Sequence, residues 1–228
     1  MLRNFSRIAA SSFAAAMVVC AAHTSHARDD AQAWATANLN VDLGGGFRAS
    51  NEIEVRVSDN RGLYEVENHL MIGYKPTKNV TLWLGYTHNP QYDHGDFTRM
   101  EHRFRQQVNV DNFLQLGNVK FSGRLRLEER WREGQGGPAW RLRPQIKAVM
   151  PIAGKVNLVV SHESFFDLNT SAFQRVRGEE RMRNFVGIGA PITKKVKFET
   201  GYMLQHSFVR GAPDNNDHAF LLALTGNF

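Results

Sequence analysis

Charged or amide side chains recur at every second position in three successive stretches of this chain. Glu101, Arg103, Arg105 and Gln107 form the first, Arg124, Arg126, Glu128 and Arg130 the second, and Arg141, Arg143, Gln145 and Lys147 the third. Phe104, Leu125, Leu127, Trp131, Trp140, Leu142 and Ile146 occupy the intervening faces. A helix repeats every 3.6 residues and would scatter these charges around its axis, whereas a strand alternates its side chains between two faces. The period of two therefore predicts three β-strands, each with one charged and one apolar face. The question for function is which face meets protein and which meets its surroundings.

The same period runs through most of the sequence. Trp34–Leu43 alternates weakly. In Phe47–Ser58, Phe47, Ala49, Ile53, Val55 and Val57 oppose Arg48, Ser50, Glu52, Glu54 and Arg56. Leu63–Tyr74, Val80–His88, Val156–Asp167, Arg181–Ala190, Val196–Ser207 and His218–Phe228 read as half-buried strands by the same criterion. These make eleven candidate strands and no helix. Pro76–Val80, Pro151–Val156 and Pro191–Val196 form a weak internal repeat marking tight turns. They alternate with longer polar connections at 59–62, 89–97, 132–139, 168–180 and 208–217. Short turns on one side and longer loops on the other are the habit of an up-and-down membrane barrel.

Residues 1–27 read as a secretory signal peptide. Arg3 and Arg7 precede an uncharged run from Ile8 to Ala22, and Ser25-His26-Ala27 offers small residues for cleavage. Val19 before the lone Cys20 argues against a lipoprotein site. Residues 28–228 then form a single cysteine-free domain without disulfides. Removing Arg3 and Arg7 from the 28 basic residues leaves 26 against 22 acidic ones, a modest positive balance. Elsewhere the sequence lacks the ~20 consecutive apolar residues of a membrane helix. An exported all-β chain of this kind is either soluble or a barrel in the outer membrane.

Two features favour the membrane. The sequence closes on Phe228, with Phe220, Leu222 and Leu224 on the same face, resembling the C-terminal strand by which the barrel-assembly machinery recognises its clients. Trp131, Trp140, Tyr74 and Tyr86 are placed to serve as interfacial aromatics. The fold class expected is thus an up-and-down antiparallel transmembrane β-barrel of ten to twelve strands, with outer-membrane lipid as its surroundings. Since bacterial single-chain barrels have even strand numbers, eleven candidates imply that the first segment lies in the lumen or at the edge, or that one strand is hidden. An Arg or Lys at the bilayer midplane costs about 2–4 kcal/mol, so the charged faces belong to the lumen. Glu101, Arg103, Arg105, Arg124, Arg126, Glu128, Arg130, Arg141 and Arg143 head the expected lining. They either plug the barrel with ion pairs or line a narrow pore for small anions.

An exported chain of this length carrying Glu-x-Arg-x-Arg, Arg-x-Arg-x-Glu-x-Arg and Arg-x-Arg in succession, beginning near a Trp and ending on Phe, resembles a bacterial outer-membrane family catalogued as domain of unknown function 2490. The resemblance spans essentially the whole of residues 28–228 and implies a barrel, with no established activity, cofactor or ligand. Lipid-modifying outer-membrane enzymes are similar in architecture, and some use a His-x-Ser pair facing lipid. His162-Glu163-Ser164 has that spacing with both outer residues on one face, but no partner to orient the histidine follows from the sequence, so no catalytic residue is assigned. A lipid-modifying hydrolase therefore stands only as an alternative. His88, Asp93, His94 and Asp96 crowd one connection without a metal-ligand pattern. Gly44-Gly-Gly46 is a strand connection, not a phosphate loop. Export argues against a nucleic-acid partner. The other alternative class, a soluble periplasmic β-barrel binding a small apolar ligand, requires the apolar faces to line the cavity.

Overall fold

The computed structural model describes residues 28–228; the expected signal peptide and Cys20 lie outside the described residues. Eleven strands form one closed barrel. They are β1 (Arg28–Gly44), β2 (Phe47–Ser58), β3 (Gly62–Thr77), β4 (Val80–Asp93), β5 (Asp96–Leu116), β6 (Val119–Arg132), β7 (Ala139–Ala153), β8 (Val156–Asp167), β9 (Gly178–Pro191), β10 (Val196–Ser207) and β11 (Asn215–Asn227). Each pairs antiparallel with its sequence neighbour. The circle closes where β1 pairs parallel with β11, from Arg28 opposite Asn215 to Asn40 opposite Asn227.

That seam corrects two expectations. The barrel is not antiparallel throughout, and its strand count is odd, with β1 in the wall instead of in the lumen. A parallel ladder satisfies backbone donors and acceptors as an antiparallel one does, with slanted bonds. Closure therefore leaves no open edge, which is the requirement that matters. Backbone bonds from Phe228 N to Asn40 O (2.9 Å) and from Asp42 N to Phe228 O (2.7 Å) extend the seam to its end.

The tight connections at one end, here called the lower end, span 45–46, 78–79, 117–118, 154–155 and 192–195. The proline-led repeat falls there. In two of its copies a threonine hydroxyl closes the turn, Thr77 Oγ1 accepting from Val80 N at 3.1 Å and Thr193 Oγ1 from Val196 N at 3.0 Å. The upper end carries the connections 59–61, 94–95, 133–138, 168–177 and 208–214. The expected loop at 89–97 is instead a two-residue turn: β4 runs on to Asp93 because Asn89 is drawn fully inside and hydrogen-bonded to Glu65 at 2.9 Å. His94 and Gly95 then reverse the chain with φ of 53° and 91°, the left-handed pair that a tight hairpin demands.

Side-chain alternation resolves the two faces. Leu39, Ile53, Leu70, Ile72, Leu84, Val108, Leu125, Ile146, Val186, Phe220, Leu222 and Leu224 all point outward and are exposed. The charged faces point inward. Tyr74 lies near the lower end, tilted against Phe47 with ring centres 5.0 Å apart, while Tyr86 sits at mid-strand opposite Phe104.

Two glycine positions let the wall curve around its contents. Gly73 lies opposite Trp83, and a Cβ on Gly73 would stand 2.5 Å from the indole. Gly187 faces Gly201 across β9 and β10, where a Cβ on Gly201 would meet Gly187 Cα at 2.4 Å and Val186 O at 2.3 Å. These are backbone atoms and cannot swing aside. Gly201→Val is expected to destabilise the barrel by about 3 kcal/mol or more. Gly136→Ala, where a Cβ meets open space, is expected to leave it unchanged. The urea midpoint of the detergent-folded protein measures both.

Candidate functional site

The interior is divided in two. Strands β2 to β7 contribute an ionic sector. Strand β1 and β8 to β11 contribute a small apolar cluster of Trp34, Val159, Phe185, Met203 and Ala219. The apolar faces do not line a cavity of the lipocalin kind; they form the outer wall.

All nine residues singled out from the alternating stretches point into the barrel, and register explains how they meet. On β6, Glu128 stands opposite Arg105 of β5 and Arg141 of β7, while Arg126 stands opposite Gln107 and Arg143. Two carboxylates anchor the network. Glu101, with no exposed surface, accepts from Arg103 Nε at 2.6 Å, from Arg130 through two bonds of 3.0 Å, and from Arg132 Nε at 2.6 Å. Glu128, equally enclosed, accepts from Arg141 at 2.7 Å and Arg143 at 2.8 Å, with Arg105 at 3.6 Å. Arg143 bridges onward to Glu163, which also receives Arg124 at 2.5 Å. A second arm joins Arg103 to Glu67 at 2.9 Å and Glu67 to His69 at 3.0 Å, and Arg56 pairs with Glu54 and Glu65. Seven buried arginines thus share the interior with seven buried carboxylates, so the formal charges of the buried set balance within the barrel.

Aromatic rings supply further partners for the buried cations. Arg183 has its guanidinium carbon 4.6 Å from the Trp34 ring and 4.7 Å from Phe165, with Nε donating to Gln205 at 2.8 Å. Arg56 lies 4.1 Å from the same Trp34 ring, and Arg143 lies 4.2 Å from Phe165. Such contacts are worth about 2 kcal/mol when desolvated. Trp34 and Phe165 went unrecognised in the sequence, although each has the parity of the lumen face. So did the upper cap. Connection 168–177 folds into the mouth, Gln174 Nε2 donating to Trp140 O at 3.0 Å, with the Phe173 ring 4.6 Å from the Arg132 guanidinium.

Above and below the network the interior opens. An upper vestibule of about 710 Å³ is lined by Asp30, Arg61, Tyr64, Gln91, Arg99, Arg132, Arg181 and Asp217 among others. A lower chamber of about 290 Å³ is lined by Asn38, Glu52, Arg124, Lys147, Lys197 and Glu199 among others. Arg105 and Glu128, 1% and 0% exposed at the side chain, belong to the packed middle.

On the outer face, His162 Nε2 lies 3.1 Å from Ser164 Oγ, and His162 Nδ1 lies 2.8 Å from Asn184 Oδ1. Asn184 is the cross-strand partner of His162, a relation that only the β8–β9 register reveals. His88 stacks obliquely on His102, ring centres 6.0 Å apart, away from the turn that holds Asp93 and His94. Among the described residues, no three His, Cys, Asp or Glu side chains converge as metal ligands.

A family model described as "Protein of unknown function (DUF2490)" matches residues 31–216. An uncharacterized protein of Methylorubrum extorquens is 27% identical over 201 residues, covering 86% of each chain. An anion-selective porin from Comamonas acidovorans superposes with a TM-score of 0.39 at 12% identity, over 79% of this chain and 53% of the porin. The chain thus spans about half the porin's length.

Removing one member of an enclosed ion pair strands its partner and typically costs about 3–5 kcal/mol, whereas exposed pairs are worth about 0–1 kcal/mol. Glu128→Gln is expected to lower stability by about 3–5 kcal/mol. Glu199→Gln, whose pair with Lys147 is 26% and 30% exposed, is expected to cost no more than about 1 kcal/mol. Equilibrium unfolding in detergent compares them.

Proposed function

The chain belongs to the DUF2490 family, and we propose that it serves as an outer-membrane β-barrel whose lumen is held shut by its own ion pairs. One observation carries the reading: the fully enclosed Arg105–Glu128 layer, braced by Arg141, Arg143 and Arg126, lies between the upper vestibule and the lower chamber. An eleven-stranded wall is narrow enough for long side chains to fill. The outward belt of Leu, Ile, Val, Phe and Tyr far exceeds the apolar patches that soluble monomers tolerate, which supports a lipid environment. The near balance of buried charge supports closure over anion conduction, because an anion path needs cations left unpaired in its lining.

The test has two arms. In cell fractionation the protein is expected with the outer membrane, and as a band whose gel migration changes on heating. In planar bilayers the wild type is expected to show no steady conductance, and the paired truncation Arg105→Ala with Glu128→Ala to open one. A steady anion-selective current through the unaltered protein would instead establish a pore.

A further inference from the structure

We propose that Ser164, His162 and Asn184 form a catalytic triad on the outer wall and cleave the carboxylic esters of membrane glycerolipids. The substrate class rests on the outer-membrane reading above; the triad itself does not. A serine becomes a nucleophile when a base lies within about 2.6–3.2 Å and a third group orients that base. Both relations are present. Ser164 is 8% exposed, so its hydroxyl has the imidazole rather than bulk water as its partner, and it donates to His162 Nε2 across 3.1 Å. His162 Nδ1–H donates to Asn184 Oδ1 across 2.8 Å. This fixes the tautomer that leaves Nε2 free to accept a proton. The architecture is rigid: residues two apart on β8 share one face, and Asn184 is held opposite His162 by the ladder with β9.

The other outward histidines sharpen the assignment. His206 faces Asn216 at 2.8 Å through Nδ1 and Asp214 at 3.2 Å through Nε2, two acceptors and no nucleophile. His102 and His218 each face a tyrosine hydroxyl, of Tyr86 and Tyr202, through Nδ1. Among the described residues, His162 is the imidazole hydrogen-bonded to a serine.

Location selects the substrate. The triad is bordered by the exposed Ile146 and Val186, surfaces along which acyl chains would lie. Ser164 stands three residues below the upper end of β8, roughly 10 Å along a strand, near the depth at which the ester groups of a lipid leaflet sit. In the reaction, Ser164 Oγ attacks the ester carbonyl while its proton passes to His162 Nε2. The proton then moves to the departing alcohol oxygen, leaving an acyl-serine. Water, deprotonated by the same nitrogen, attacks the acyl carbon, releases the fatty acid and returns the proton to Ser164. One ester and one water become one acid and one alcohol.

The experiment uses the full barrel folded in detergent micelles, with folding verified by heat-modifiable migration. Its probes are phosphatidylethanolamine in mixed micelles and an alkyl fluorophosphonate that labels active serines. Fatty-acid release and labelling at Ser164 are expected for the wild type. Both should fall at least about 100-fold in Ser164→Ala and in His162→Gln. The second variant, at an exposed position, decides the matter if the first does not fold. As a positioning residue, Asn184 should lower kcat about tenfold or more when changed to Ala with KM little altered, and Asn184→Asp should restore most of it. A folded wild type that neither releases fatty acid nor takes the label, or a Ser164→Ala that does both equally well, overturns the proposal. Because the assay is in micelles, its failure is distinct from failure of the fractionation test.

Discussion

Everything inside this barrel depends on the pairing of charges that the wall encloses. A guanidinium or carboxylate removed from water loses several kcal/mol of hydration even after relaxation. That loss is offset only by close partners and complete hydrogen bonding. Glu101 and Glu128 meet the condition by taking three and two arginines respectively as hydrogen-bonding partners. Their positions follow from register, which sets Glu101 opposite Arg132 and Glu128 opposite both Arg105 and Arg141. The strand pairing and the ionic layer therefore specify each other: a slip by one residue would turn every charge to the apolar face.

Closing the lumen has a corollary for where chemistry can occur. The outer wall is the remaining continuous surface, and it carries histidines in polar clusters on an otherwise apolar belt. A polar group there is expensive unless satisfied. His162, Ser164 and Asn184 satisfy one another, and the arrangement that removes the cost is also the arrangement that arms a serine.

Much of this was legible from alternation alone. Arg124, Arg126, Glu128 and Arg130 announce both strand and facing, because a lipid-exposed run of such charges is untenable. Eleven strands were countable, but the even-number habit of bacterial barrels made the count look wrong. Nothing in the residues of β1 distinguishes a parallel neighbour from an antiparallel one, so the seam could not be read. Aromatics inside the lumen were missed for a related reason. Trp34 and Phe165 are apolar by type, and only their parity, shared with Thr36 and Glu163, marks them as inward. Asn184 was hidden because cross-strand partners separated by a long connection depend on register, and connection 168–177 has no length rule that sets it.

The position of Arg183 between two rings has a bearing on how the barrel responds to its medium. Mobile ions compete for a charge on the surface, whereas the Trp34 and Phe165 rings crowd the Arg183 guanidinium, and buried pairs are screened far less than exposed ones. A lumen filled by enclosed carboxylates and aromatic faces is consequently less sensitive to ionic strength than one held by surface pairs. The strength of its packing would change little between dilute and concentrated salt.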